Sequence, residues 1–211
     1  MFSTQCRSCP RLAGFLDRVR DEHPDYHALP VSSFGEPGSP FLIVGLAPGM
    51  HGANRTGRPF TGDFAGKLLY GSLHKYGYAS SAEPLDHAGH ANPAMSLSGC
   101  RITNAVRCLP PQNKPEPGEI RACNGYLAEE LALLPQGSAI LALGTVAHQA
   151  VLMALQLKKS SFAFGHGARH ELAGGLTLFD SYHCSRYNTQ TRRLTTDMFE
   201  GVIRDIVEYI A

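Results

Sequence analysis

Phe41-Leu42-Ile43-Val44 runs directly into Gly45-Leu46-Ala47-Pro48-Gly49-Met50-His51-Gly52-Ala53-Asn54-Arg55-Thr56-Gly57-Arg58-Pro59-Phe60-Thr61-Gly62-Asp63. The short apolar run, ending in two β-branched residues, reads as a buried strand. The glycine-rich stretch reads as a loop, and helical spacing follows over residues 63–76. The same order recurs down the chain. Arg101-Ile102-Thr103, Ala139-Ile140-Leu141-Ala142-Leu143 and Leu176-Thr177-Leu178-Phe179 are the other predicted strands, with helices predicted over 119–134, 145–157 and 195–210 and another near 11–20. In the last, Phe199, Ile203, Ile206 and Ile210 share a face behind a possible Thr195 cap. Strands alternating with helices predict an α/β fold: a central four-stranded parallel sheet, helices on both faces, right-handed crossovers. Ligands of such sheets sit beyond the carboxyl ends of the strands, so chemistry is expected in the loops starting at Gly45, Asn104, Gly144 and His183. Residues 77–99 read as an irregular excursion, and no internal repeat is visible, so residues 1–211 are expected to form one domain.

Length and composition agree. The 211 residues suit one core, and 22 glycines with 14 prolines make the chain loop-rich. No apolar run approaches the roughly 18 residues of a membrane span, and the N-terminus lacks the order of a signal peptide. A cytoplasmic, nucleoid-associated monomer with no membrane partner is therefore expected. Lys and Arg number 19 against 18 Asp and Glu, so total charge advertises no nucleic acid and any such partner must show locally. The six cysteines fall well below the density of a disulfide scaffold. Cys6-Arg7-Ser8-Cys9 is a C-x-x-C pair, and Cys108 and Cys123 form a wider one. Structural zinc favours two tight pairs, whereas an iron-sulfur cubane tolerates wide separation. If residues 100–108 run extended, Cys100 and Cys108 lie up to roughly 26 Å apart, too far for one small cluster. Buried cysteines acting as small hydrophobes are the competing reading, and Cys100 and Cys184 fit it. The His87/His90 and His166/His170 pairs have metal-like spacing, but their loop context argues against metal.

The strand-end loops carry polar chemistry. The first has neither G-x-G-x-x-G nor a Walker Lys-Ser/Thr ending, which disfavours a standard nucleotide site. Phe60 offers a stacking face or a loop anchor; Asp63 offers a catalytic carboxylate or a helix cap. Asn104 carries an acceptor and two donors, enough to read a pyrimidine edge. His183-Cys184-Ser185-Arg186-Tyr187-Asn188-Thr189-Gln190-Thr191-Arg192-Arg193-Leu194 holds one histidine and three arginines, and residues 181–196 contain no acidic residue. That composition suits phosphate contacts and a wedging side chain.

These loops in this order, with four of the cysteines, resemble the iron-sulfur uracil-DNA glycosylases, most closely the B-type or family 5 branch. Related family 4 enzymes carry Glu where this chain has Leu46 and lack the His51-Gly52-Ala53-Asn54-Arg55 segment. The resemblance implies a monofunctional glycosylase of base excision repair that hydrolyses the N-glycosidic bond of uracil in DNA and leaves an abasic site. It extends to other deaminated bases such as hypoxanthine. It implies a [4Fe-4S] cluster on Cys6, Cys9, Cys108 and Cys123. Asp63 and His183 would be catalytic, and Gly45, Ala47, Gly49, Phe60 and Asn104 would bind the base. Arg55, Ser185, Arg186, Tyr187 and Asn188 would contact DNA. The family's last loop commonly reads His-Pro-Ser where this chain has His183-Cys184-Ser185, a loss of fixed φ that bears on rate. A catalytically weak damaged-DNA-binding protein of the same fold is the alternative; an electron-transfer protein would not need the Phe60, Asn104 and His183 rim.

Overall fold

The computed structural model describes residues 2–211. Strands β1 (Phe41–Gly45), β2 (Cys100–Asn104), β3 (Ala139–Leu143), β4 (Arg169–Leu172) and β5 (Leu176–Ser181) form one sheet in the order β2-β1-β3-β5-β4. The four expected strands are present and mutually parallel, in registers such as Ile43 beside Ile102 and Ile43 beside Leu141. A fifth strand was not expected: β4 pairs antiparallel with β5 at the sheet edge. Its sequence, Arg169-His170-Glu171-Leu172, is polar because three of its residues keep contact with solvent, so it carries no apolar signal.

Alternation along the buried strands separates two cores. Phe41, Ile43, Ala139 and Leu141 pack with α3 (Phe64–Lys75) and α7 (Thr196–Ile210). Leu42, Val44, Ile140 and Ala142 face α4 (Pro117–Ala132) and α5 (Thr145–Ala154). A third cluster joins α1 (Pro10–Glu22) to Val106, Cys108 and Leu109. Helix starts follow local chemistry. Asp63 caps α3 through Gly66 N–H, Thr195 caps α7 through Met198 N–H, and Glu116 with Glu119 forms a capping box on α4. Two short helices lie inside the loops, α2 (Ala53–Thr56) and α6 (Arg186–Gln190), each too short to show a period. From β1 the chain crosses to β2 on one side and later to β3 on the other, which opens a crevice beyond the end of β1. The 77–99 excursion folds back on itself through the Ala79–Leu97 and Leu85–Ala91 bridges and reaches the same crevice. Among the described residues no helix is long and apolar enough to cross a membrane.

Candidate active site

The crevice is a cavity of about 700 Å³ lined by Ala47, Gly49, Phe60, Asp63, Asn104 and His183, with Lys67, Ser185 and Arg186 toward its mouth and Glu83 to Leu85 across it. Six of the seven residues expected to be catalytic or to bind the base thus line one cavity. Gly45 does not line it. A Cβ there would overlap Asn104 Oδ1 and come within 2.6 Å of Phe60 Cζ, so this glycine lets the ring and the amide meet at the strand end. Phe60 is buried and holds a φ of +53°, a region a side-chain-bearing residue rarely adopts. Gly66 makes that turn possible, because a Cβ on it would overlap the Phe60 carbonyl oxygen.

Phe60 and His183 stack at 5.9 Å with their planes 27° apart. Protein atoms crowd His183, and burial pushes its pKa down to about 4, so the ring is neutral at neutral pH. Its carbonyl accepts from Asn188 Nδ2 at 2.8 Å. Asn104 is 4% exposed, and its Oδ1 has no partner among the described residues. A buried acceptor left unpaired costs about 1–3 kcal/mol unless a ligand meets it. Asp63 Oδ1 accepts from Gly66 N–H at 3.0 Å, while Oδ2 faces Gly49 and Gly52. Burial raises the Asp63 pKa, and the Gly66 and Ala65 amides oppose the rise.

The expected DNA contacts divide. Tyr187, next in sequence to the cavity-lining Arg186, is 70% exposed, and the Arg186 guanidinium lies 5.7 Å from the exposed Phe64 ring. Ser185 caps α6 through Asn188 N–H. Asn188 spends its amide on the His183 carbonyl, and Arg55 Nε donates to the His51 carbonyl at 3.0 Å, so both are engaged in holding loops. Cys184, where relatives were expected to carry proline, is completely buried in the core, where burial raises its thiol pKa far above the ordinary value.

Cys6, Cys9, Cys108 and Cys123 line one small apolar pocket with Phe2, Leu12 and Val106. All are free thiols. Arg107 N–H donates to Cys123 Sγ at 3.4 Å, and Tyr126 Oη–H to Cys6 Sγ at 3.5 Å. Burial pushes the Cys108 thiol up to about 12, and the three neighbouring cysteines add to the rise. No three of these sulfurs lie within 4.8 Å of one another, whereas a single tetrahedral zinc would draw them to about 3.8 Å. Cys100 is buried in the main core, away from this pocket.

Elsewhere, His148, His170 and Asp180 bring their ligand atoms within 4.8 Å. His148 Nδ1 meets Asp180 Oδ1 at 2.8 Å and Nε2 meets the Phe162 carbonyl at 3.0 Å. Both partners are acceptors, so the ring carries two protons. Burial alone would lower the His148 pKa, but Asp180 and the Phe162 carbonyl outweigh it and hold it above the ordinary value. His166 stands outside it, so the His166/His170 spacing does not mark a shared site.

Residues 32–207 match the profile of the uracil DNA glycosylase superfamily. The chain is 47% identical over 209 residues to a type-5 uracil-DNA glycosylase of Thermus thermophilus, covering 96% of this chain and 92% of that protein. A type-5 uracil-DNA glycosylase of Mycobacterium bovis is 40% identical over 211 residues, covering 95% and 76%. A type-4 uracil-DNA glycosylase of Pyrobaculum aerophilum is 32% identical over 146 residues, covering 67% and 64%. With this sheet, this crevice and these relatives, the chain belongs to the uracil DNA glycosylase superfamily and, within it, to the type-5 uracil-DNA glycosylases.

Proposed function

We propose that this protein excises uracil from DNA by hydrolysing its N-glycosidic bond. The observation that carries the reading is the meeting of Phe60, the unpaired Asn104 Oδ1, neutral His183 and the Asp63 carboxylate in one cavity. Bond cleavage develops positive charge on the sugar and negative charge on the leaving base. Asp63 faces the first or positions water; His183 donates to the second from a neutral ring. Phe60 stacks on the base, and Asn104 Oδ1 accepts an imide N–H such as N3–H of uracil. The base must leave the duplex to reach them, at a cost of a few kcal/mol that mispairing reduces. Tyr187, exposed beside Arg186 at the mouth, fills the vacated stack. The cavity of about 700 Å³, with the small residues Ala47 and Gly49 in its wall, supports acceptance of larger deaminated bases such as hypoxanthine.

The cysteine pocket fits a [4Fe-4S] cluster on Cys6, Cys9, Cys108 and Cys123. The support is an all-thiol donor set in apolar surroundings, sulfurs too widely spaced for one ion, and N–H and O–H donors aimed at two of them. Bound there, the cluster supplies a rigid cross-link and takes no part in hydrolysis. It ties the N-terminus to the 109–118 loop, whose Asn113 reaches the cavity. A cytoplasmic, nucleoid-associated monomer accords with a substrate embedded in DNA. Incubation with a uracil-containing duplex, followed by alkaline cleavage of abasic sites, tests the activity. Strand scission only where uracil stood is the expected result; an intact strand at high enzyme excess, with tight binding, would favour the weak-binder alternative.

A further inference from the structure

We propose that His166 is a positioning residue for His183, acting through the Tyr182 peptide. This deepens the proposed function and rests on it. The aim of a donor set between strand end and helix depends on what clamps the backbone around it. On the far side of His183 the clamp is Asn188 Nδ2 on the His183 carbonyl at 2.8 Å. On the near side, the Tyr182 backbone N–H donates to His166 Nδ1 at 3.3 Å. Ser181 Oγ lies 3.4 Å from the same nitrogen.

An amide N–H can only donate, so Nδ1 must present its lone pair and the ring proton must sit on Nε2. The carbonyl of Met198, in the first turn of α7, accepts from the ring. His166 therefore bridges α7 to the exit of β5 as a neutral ring. The ring also stacks on the Tyr182 side chain at 5.1 Å and 21°, with the Arg193 guanidinium 4.6 Å over that tyrosine. Two backbone bonds, from Gly167 N–H to the Asp180 carbonyl and from Asp180 N–H to the Ala168 carbonyl, seat the histidine loop against the strand. With Cys184 where proline would fix φ, Tyr182 and His183 have no ring constraint following them, and the His166 and Asn188 bonds supply the restraint instead.

The test compares His166→Leu, which keeps bulk but offers no acceptor, with His166→Asn, whose Oδ1 stands near the position of Nδ1. His166→Leu is expected to lose at least about tenfold of the hydrogen-exchange protection at the Tyr182 amide. Its kcat for uracil release falls about 10- to 100-fold while KM stays near wild type, because orientation and not binding is lost. His166→Asn is expected to restore both. A wild-type protein that releases no uracil removes the proposed function itself. Wild-type activity with a folded, equally fast His166→Leu variant, or unchanged Tyr182 protection, overturns this inference alone. If His166→Leu does not fold, an unprotected Tyr182 amide in His166→Asn together with wild-type kcat overturns it equally.

Discussion

Gly52→Ala tests whether the place of the Asp63 carboxylate, rather than its mere presence, drives bond cleavage. A Cβ on Gly52 would stand 2.6 Å from Asp63 Oδ2 and 2.9 Å from both Cβ and Cγ of Asp63. Ordinary carbon contacts are near 3.5 Å, so the carboxylate must retreat by about 1 Å. Its other oxygen caps α3 through Gly66 N–H at 3.0 Å, so retreat also weakens a helix cap. The cap is worth about 1 kcal/mol, or about 2–4 °C in Tm for a chain of this size. A misplacement of about 1 Å costs up to about 100-fold in rate, equivalent to about 2.7 kcal/mol of activation free energy. Single-turnover excision from a uracil-containing oligonucleotide, beside a thermal melt, separates the two. Gly71→Ala is the control: it lies on the same helix, nothing stands within 4 Å of its Cβ, and it should be neutral or slightly stabilising. A Gly52→Ala enzyme excising within about twofold of wild type would show that the Asp63 position carries no catalytic weight and refute the reasoning.

Three further outcomes follow from the same contacts. The His183 pKa is depressed from 6.5 to about 4, so below about pH 6.5 the unfolded chain takes up the proton that the fold refuses, and stability falls by about 3 kcal/mol as pH drops toward 4. His183→Gln should flatten the pH dependence of unfolding free energy across that window; denaturant melts at its two ends check this, and parallel wild-type and variant profiles would contradict it. Cys108→Ser and Cys123→Ser should lose iron and visible absorbance along with thermal stability, while Cys100→Ala and Cys184→Ala keep the iron. Iron and sulfide analysis decides the cysteine division, and stoichiometric zinc without iron in wild type would defeat it. Glu130 is bonded by Arg101 and by the 3%-exposed Arg107, so Glu130→Ala strands a buried cation and should cost about 3–5 kcal/mol in a urea melt.

The parallel sheet was legible because its strands are buried on both faces, and continuous apolar runs such as Phe41 to Val44 record that directly. β4 was illegible for the converse reason: as a half-wet edge, its pairing is made by the backbone and leaves no trace in Arg169-His170-Glu171-Leu172. The site residues could be read individually because loop glycines, a lone loop phenylalanine and a strand-end histidine are unusual. Their division of labour could not. Gly45 and Gly66 serve by leaving room for Phe60 and Asn104, which requires knowing what lies opposite in space. Asn188 and Arg55 read as DNA-contacting side chains by type, and the structure adds a second task that type does not show: Asn188 Nδ2 and Arg55 Nε each donate to a loop carbonyl. Only the pairing geometry tells the buried His148–Asp180 contact from the spacing pattern of His166 and His170.

A net charge of +1 leaves little long-range attraction for DNA, so the electrostatics that matter are internal to the crevice. Burial disfavours charge on Asp63 and on His183 alike, raising one pKa and lowering the other. The histidine answers by staying neutral. The Asp63 carboxyl is held by backbone amides, with no Lys or Arg paired to it among the described residues. A buried anion with amide support but no cation is held at a cost, and that cost falls when positive charge develops beside it. A neutral ground-state sugar gives little relief; the oxocarbenium-like sugar of the transition state gives much more. In the proposed hydrolysis, the missing counter-ion would make the Asp63 contribution selective for the transition state. A cation built into the same wall would satisfy the carboxylate before the reaction began.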